Sequence, residues 1–353
     1  MTTIEVMLEL LRSSIFSKNA RIPENVIIDW DELMDLCVEH GVLAWVWDAI
    51  CNLPQSQRPP RLQSINWGLS AQEIWDTYQK QEQVLLQMVK ICQNNNMRLL
   101  LLKGIGLSKL YPKPQSRSCG DIDIYLYDDY EKGNRIFCSG IAPETELHSE
   151  FDINNVRIEN HKFFIFPNTK IKKAVGQYVL NHQGDVILQP EGYFVLSPLP
   201  NLAYLLMHML NHFYYSVDSK VISIRNITDV AMFIYMNKSY LRPQDTYEVL
   251  HAIYLDKAFE MIVRVSERLL KIDLSEYYND RVSLEDVGKI CDVICSDSHV
   301  DNWYNWSKWQ RSLFLWKRYI RLIPFTRYVP KKPKNGLSYL FFRRQCSILI
   351  KGE

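Results

Sequence analysis

The sequence lacks several features that would assign its class at once. Its eight cysteines, at 37, 51, 92, 119, 138, 291, 295 and 346, form no Cys-x-x-Cys pair. Reduced thiols in a cytoplasm are the simplest reading of that pattern. The segment MTTIEVMLELLRSSIF carries Glu5 and Glu9 inside its apolar periodicity, so it reads as an amphipathic helix and not as an export signal. No apolar run reaches the roughly 18 residues of a spanning helix. LAYLLMHML (202–210) is too short and is interrupted by a histidine. Charge of one sign is not in excess either. The formal net charge of +1 argues against a broad nucleic-acid-binding surface. Internal repeats and low-complexity tracts are absent. Gly104-x-Gly106 lacks the third glycine and the downstream acid of a dinucleotide fingerprint, which excludes a Rossmann site.

What is present is a globular composition, 47% apolar and 23% charged, on 353 residues, enough for two or three domains and a sizeable core. The first ninety or so residues have helical periodicity. In DWDELMDLCVEHGVLAWVWDAI (29–50), Leu33, Leu36, Cys37, Leu43 and Trp47 recur at helical intervals. LPQSQRPPRLQ (53–63) holds three prolines and breaks the pattern, and a long helix is expected over 71–96. At Met97 the pattern changes. MRLLLLKG is a short apolar run ending in glycine, as in a buried strand; IGLSKLY suits a short helix; DIDIYLY alternates as a strand. A helix over 129–138 and a hairpin turning near Asn154-Asn155 follow. From Pro198 helices return. The expected class is α+β, a small mixed-sheet core flanked by helical regions. The boundaries are 1–94 (helical), 95–195 (α/β core), 196–325 (helical) and 326–353 (a basic aromatic tail).

The chemistry concentrates between Lys103 and Leu126. Side chains alternate faces along a strand, so Asp121 and Asp123 share one face while Ile122 and Ile124 face the core. Two carboxylates that close repel, and a divalent cation such as Mg²⁺ relieves the cost. Asp-x-Asp alone is weak, because many surface strands contain it. The context strengthens it: a strand ends in Lys103-Gly104, and a helix starts just after, so its backbone N–H groups can face an anion. Glu159, mid-strand in VRIENHKFF, is the best candidate for a third carboxylate; Asp152, nearer the hairpin turn, is second.

These residues resemble the signature of the uncharacterised nucleotidyltransferase family, a branch of the DNA polymerase β-like nucleotidyltransferase superfamily. There a Lys-Gly turn is followed by Tyr-Pro, an arginine and Gly-Asp-x-Asp. Here Lys103-Gly104, Tyr111-Pro112, Arg117 and Gly120-Asp121-Ile122-Asp123 stand in that order. The Trp-containing helix with its His-Gly-Val step, the LMHMLNH helix and RNITDVAMFI are similar too, so the likeness covers roughly residues 25–240. It implies a nucleoside triphosphate bound by Lys103, Gly104, Arg117 and Gly120, and Mg²⁺, as two ions, on Asp121, Asp123 and Glu159. An acceptor hydroxyl would then attack the α-phosphorus and pyrophosphate would leave. A small-molecule or protein acceptor is favoured over RNA. The turn departs from the superfamily pattern: Ile105 follows Gly104 where serine or glycine stands, Ser108 comes later, and the third carboxylate is a glutamate. The alternatives are a degenerate member that binds nucleotide or protein without chemistry, and an RNA-modifying transferase.

Four further residues are candidates for substrate contact. His161 shares a face with Glu159, where it assists an acceptor, orients Glu159 or simply hydrogen-bonds in the strand. His208 and His212 are i, i+4 on one helix, where packing is the plainer role. Arg225 either contacts nucleotide or acceptor, or pairs with Asp229 one turn on. Cys291, Cys295 and His299 do not have a usual zinc spacing. Trp303, Trp306, Trp309 and Trp316 read as packing, and the basic residues between Lys317 and Arg344 as a solvated tail, with RNA or an anionic membrane as the functional reading.

Overall fold

The computed structural model describes residues 1–138, 143–215, 223–296 and 327–328, with only the backbone described at 212–215 and 296. The tryptophan stripe, His299, the side chain of His212 and nearly all of the basic tail lie outside the described residues. Among the described residues, four helices come first: α1 (Thr3–Ile15), α2 (Trp30–His40), α3 (Leu43–Ile50) and α4 (Arg61–Asn94). Then come β1 (Leu100–Leu101), α5 (Ile105–Ser108), β2 (Asp121–Tyr125), α6 (Tyr130–Phe137), β3 (His148–Ile153), β4 (Val156–His161), α7 (Lys170–Asn181), β5 (Val186–Leu188) and β6 (Phe194–Leu196). Five helices close the description: α8 (Pro198–Tyr215), α9 (Ile224–Met236), α10 (Pro243–Ala252), α11 (Asp256–Leu270) and α12 (Leu284–Ser296). The class is α+β. No helix among the described residues is long and apolar enough to cross a membrane.

The six strands form one mixed sheet in the order β3-β4-β2-β1-β6-β5. β2 runs parallel to β4, and β1 parallel to β6; the other pairs are antiparallel. The β3–β4 hairpin turns at Asn154 and Asn155, both with positive φ (52° and 62°), the backbone that a two-residue turn between right-twisted strands requires. One sheet face is sealed by α4: Ile122, Ile124 and Ile158 pack with Leu85, Met88 and Val89. On the other side Leu100, Leu102 and Tyr125 join a continuous core that includes residues of α1, α3, α8, α9 and α11. The helices on either side of the sheet in sequence thus share one apolar interior.

Two local readings shift. α4 begins at Arg61, ten residues before the expected 71, immediately after Pro59-Pro60. Proline suits a helix start because its missing N–H is not needed there. Ser64, Asn66 and Gly68, poor helix formers, obscure a segment whose Trp67 and Ala71 are buried. The hairpin β5–β6, which extends the sheet beyond β1, was not anticipated.

A loop from Tyr111 to Gly120 joins α5 to β2 and is pinned along its length. Ser116 donates to Asp48 of α3 at 2.5 Å and accepts from the Trp75 indole of α4 at 3.0 Å. Gln81 of α4 donates to the Cys119 carbonyl at 3.1 Å. Buried Arg117 makes a two-pronged pair with Asp229 of α9, both bonds at 2.8 Å, and Tyr111 donates to the same carboxylate at 2.7 Å. The expected Arg225–Asp229 pairing within α9 is therefore replaced by a tertiary pair, because a fork that reaches both oxygens holds the carboxylate better than a helical neighbour. Two residues of the tail also dock: Tyr328 donates to Asp286 of α12 at 2.6 Å, and Arg327 pairs with the same side chain at 3.2 Å.

Asp229→Ala strands a buried guanidinium, which costs about 3–5 kcal/mol in denaturant unfolding. Asp245→Ala, which removes an exposed i,i+3 pair with Arg242, is expected to stay within about 0.5 kcal/mol.

Candidate active site

β2 and β4 lie side by side with Asp123 opposite Glu159 and Asp121 opposite Arg157. Opposed residues in a ladder share a face, so Asp121, Asp123 and Glu159 project together, and one oxygen of each lies within 4.8 Å of the others. Asp152 shares that face but sits one rung beyond, opposite Arg157, and is exposed. The sequence places the carboxylates on the strand; the parallel crossover from β2 to β4 brings the third one in.

The environment divides the two aspartates. Asp123 is completely buried. Burial works against its charge, but Lys103 and His161 outweigh it and hold its pKa well below the carboxylate range. Asp121 is half-buried, and burial together with the charge on Asp123 raises its pKa against the pull of Lys103. Lys103 Nζ lies 2.5 Å from Asp123 Oδ2 and 3.8 Å from Asp121 Oδ2. Oδ2 of Asp123 nevertheless accepts no well-aligned hydrogen bond. His161 Nε2 lies 3.0 Å from the other oxygen, Oδ1, and 3.5 Å from Glu159 Oε2. Burial opposes protonation of His161, but its bonds to Asp123 and Glu159 raise its pKa to about 8. Beneath lies Tyr204 of α8, whose hydroxyl burial and the charges of Asp123, Glu159 and Asp121 keep protonated. His208 stacks on Tyr204 at 6.4 Å between centroids.

The Lys103-Gly104 turn is held by sterics. Gly104 has φ 60° and ψ −120°, a region that only glycine occupies readily. A Cβ there would lie 2.9 Å from Cys119 Sγ and 3.2 Å from the Asp121 carbonyl oxygen. Ile105, in the place of a small residue, is buried in the α4-side core and so does not project into the carboxylate face. The turn's amides are partly spent: Gly106 N and Leu107 N donate to the carbonyls of Lys103 and Gly104. The expectation of a row of free N–H groups at this helix start is corrected accordingly, for α5 is only one turn long.

Arg117 is placed behind the turn. Its guanidinium, expected at the nucleotide, is buried, forked onto Asp229 and bonded through Nη1 to the Gly104 carbonyl at 2.9 Å. It braces the turn. Arg225 stands in a different situation. Its Nη1 donates to the Ser118 carbonyl at 3.2 Å, its Nε is buried without a hydrogen-bond partner, and no carboxylate among the described residues pairs with it. Burial and the charge on Arg117 pull its pKa down. Gly41, in the left-handed conformation, leaves room for it: a Cβ there would touch Arg225 Cδ at 3.4 Å. Gly120 is exposed, with open space where its Cβ would stand.

His148 of β3 was missed. It pairs with His161 across the hairpin, the two rings 5.2 Å apart. Counting six residues back from Asn154 and six on from Asn155 would have found both.

A family model described as uncharacterised nucleotidyltransferase matches residues 27–271, well over half of the chain. No curated protein and no solved structure matches it.

Gly104→Ala is expected to cost about 1–3 kcal/mol in urea unfolding, from a forbidden backbone and a collision with Cys119. Gly120→Ala, which meets nothing, is expected to stay within about 0.5 kcal/mol.

Proposed function

The chain belongs to the uncharacterised nucleotidyltransferase family, and from that premise we propose that it transfers a nucleoside monophosphate from a triphosphate to a hydroxyl acceptor, releasing pyrophosphate. Nucleotidyl transfer is the general activity of the family. The convergence of Asp121, Asp123 and Glu159 on adjacent parallel strands is the observation that carries the finer reading.

The residues fit Mg²⁺. All three groups offer carboxylate oxygens, and the fully buried Asp123 Oδ2 lacks an aligned hydrogen bond. Three carboxylates face the Lys103 ammonium and the His161 ring, so the site keeps negative charge to spare for a divalent cation. Asp121 and Asp123 would hold one ion, and Glu159 would share a second. Bound there, Mg²⁺ would neutralise triphosphate charge and ease deprotonation of the acceptor hydroxyl.

The chain's own groups position the reactants. Lys103 steadies both aspartates and is the nearest ammonium to a phosphate approaching them. Gly104 and Gly120 border the carboxylates without side chains, so a triphosphate can come close to the backbone. Arg225, a half-buried cation with a free Nε and no carboxylate partner among the described residues, is suited to take phosphate charge in place of Arg117. His161, bonded to both Asp123 and Glu159, orients Glu159 for the acceptor side. Burial around Asp123 keeps the local dielectric low, which strengthens each of these electrostatic contacts.

Asp121→Asn combined with Asp123→Asn is expected to abolish transfer from an α-³²P-labelled nucleoside triphosphate while circular dichroism remains native. Undiminished transfer in that double variant would refute the assignment. Arg225→Ala is expected to weaken triphosphate binding about tenfold or more, roughly the loss of one charge-assisted contact of 1.5–3 kcal/mol. Unchanged affinity by calorimetry would return Arg225 to a purely structural role.

A further inference from the structure

Next to the three carboxylates lies a second cluster with different chemistry. His148, Glu159 and His161 each place a ligand atom within 4.8 Å of the others. His148 Nδ1 and His161 Nε2 approach the same oxygen, Glu159 Oε2, at 3.6 and 3.5 Å. We propose that these three residues form a divalent-metal site selective for an ion that accepts nitrogen ligands, of the Zn²⁺ and Co²⁺ class, with Glu159 shared between it and the carboxylate cluster. The inference stands on the ring geometry and does not depend on the nucleotidyl-transfer reading.

The far side of each ring decides the matter. His148 Nε2 lies 2.9 Å from Glu150 Oε1, and His161 Nδ1 lies 3.3 Å from the Phe163 carbonyl oxygen. A carboxylate and a carbonyl only accept, so these ring nitrogens carry hydrogens; His161 Nε2, 3.0 Å from Asp123 Oδ1, carries one as well until a metal takes its place. His148 Nδ1 therefore turns a lone pair toward Glu159, and His161 Nε2 does so once a metal displaces its proton. Imidazole backed by a carboxylate or carbonyl is the arrangement by which proteins orient histidine ligands to metals. The His148 lone pair and the Glu159 carboxylate oxygen, 3.6 Å apart, repel unless a cation lies between them. His148 Nδ1 shows the consequence: it is buried and has no hydrogen-bond partner. Nitrogen donors also separate this site from its neighbour, because imidazole suits Zn²⁺ and Co²⁺ whereas Mg²⁺ prefers oxygen and water. The hairpin supplies rigidity, with His148 opposite His161 and Glu150 opposite Glu159.

The test uses the full-length chain stripped of metal with a chelator. Zn²⁺ is titrated by calorimetry, and Co²⁺ by visible absorption, with Mg²⁺ in excess throughout. The wild type is expected to bind one equivalent of Zn²⁺ that Mg²⁺ does not displace, and Co²⁺ is expected to develop the bands of a nitrogen-ligated ion. His148→Ala is expected to weaken Zn²⁺ binding at least tenfold and to abolish the bands. Glu150→Gln, which leaves all three ligands but weakens the brace on His148, is expected to weaken Zn²⁺ about tenfold. Glu150 is partly exposed, so this variant carries the test if His148→Ala does not fold. Zn²⁺ that excess Mg²⁺ displaces from the wild type, or affinity unchanged in both variants, would overturn the site. Loss of Zn²⁺ binding alongside transfer that still requires Asp121 and Asp123 would remove this site and leave the proposed function standing.

Discussion

The buried pair between Arg117 and Asp229 is the contact on which the candidate site depends. A guanidinium taken out of water is costly unless its donors are met, and here Asp229 meets two and the Gly104 carbonyl a third. That single group ties α9 to the loop before β2 and to the turn after β1. The turn in turn sets Lys103, and Lys103 sets the charge state of Asp123. A pair deep in the helical layer thus governs the electrostatics of a carboxylate on the sheet. The rest of the loop is held in the same way, by Asp48, Trp75 and Gln81 from α3 and α4. Helices from before and after the sheet converge on ten residues of loop.

The carboxylate face is a balance of opposing charges at short range. Asp123 is deepest and stays ionised because an ammonium and an imidazole touch it from two sides. Asp121, nearer solvent, bears the repulsion. Two identical residues two positions apart therefore differ in acidity because of depth and neighbours alone. Tyr204 below them contributes a protonated hydroxyl in a dry environment, so the field of the three carboxylates is poorly screened from beneath.

Much of this was legible in the sequence because it depended on local rules. Alternation assigned Asp121 and Asp123 to one face and Ile122 and Ile124 to the other, and the asparagine pair marked the hairpin. What the sequence concealed were choices made in three dimensions. Arg117 looked like a phosphate ligand because a lone arginine beside Gly-Asp-x-Asp has no visible partner; its partner lies 112 residues on. Asp229 looked like the helical mate of Arg225 because only i,i+4 spacing is visible along a chain. β5 and β6 escaped notice because three-residue strands carry almost no periodicity. His148 was overlooked although its position followed from the turn, since the turn was used to find a hairpin and not to pair its residues.

The asparagine turn between β3 and β4 touches none of the chemistry, yet it acts as the gauge that sets it. A two-residue link permits one register, and side chains in a strand change face with every step. One residue inserted at Asn154-Asn155 could be absorbed by sliding β3 against β4, leaving composition, strand propensity and the isoleucine core of β4 intact. His148 and Glu150 would then turn to the opposite face, away from His161 and Glu159. Across relatives of this chain, the length of that turn should therefore track the nitrogen half of the site more faithfully than overall sequence identity does.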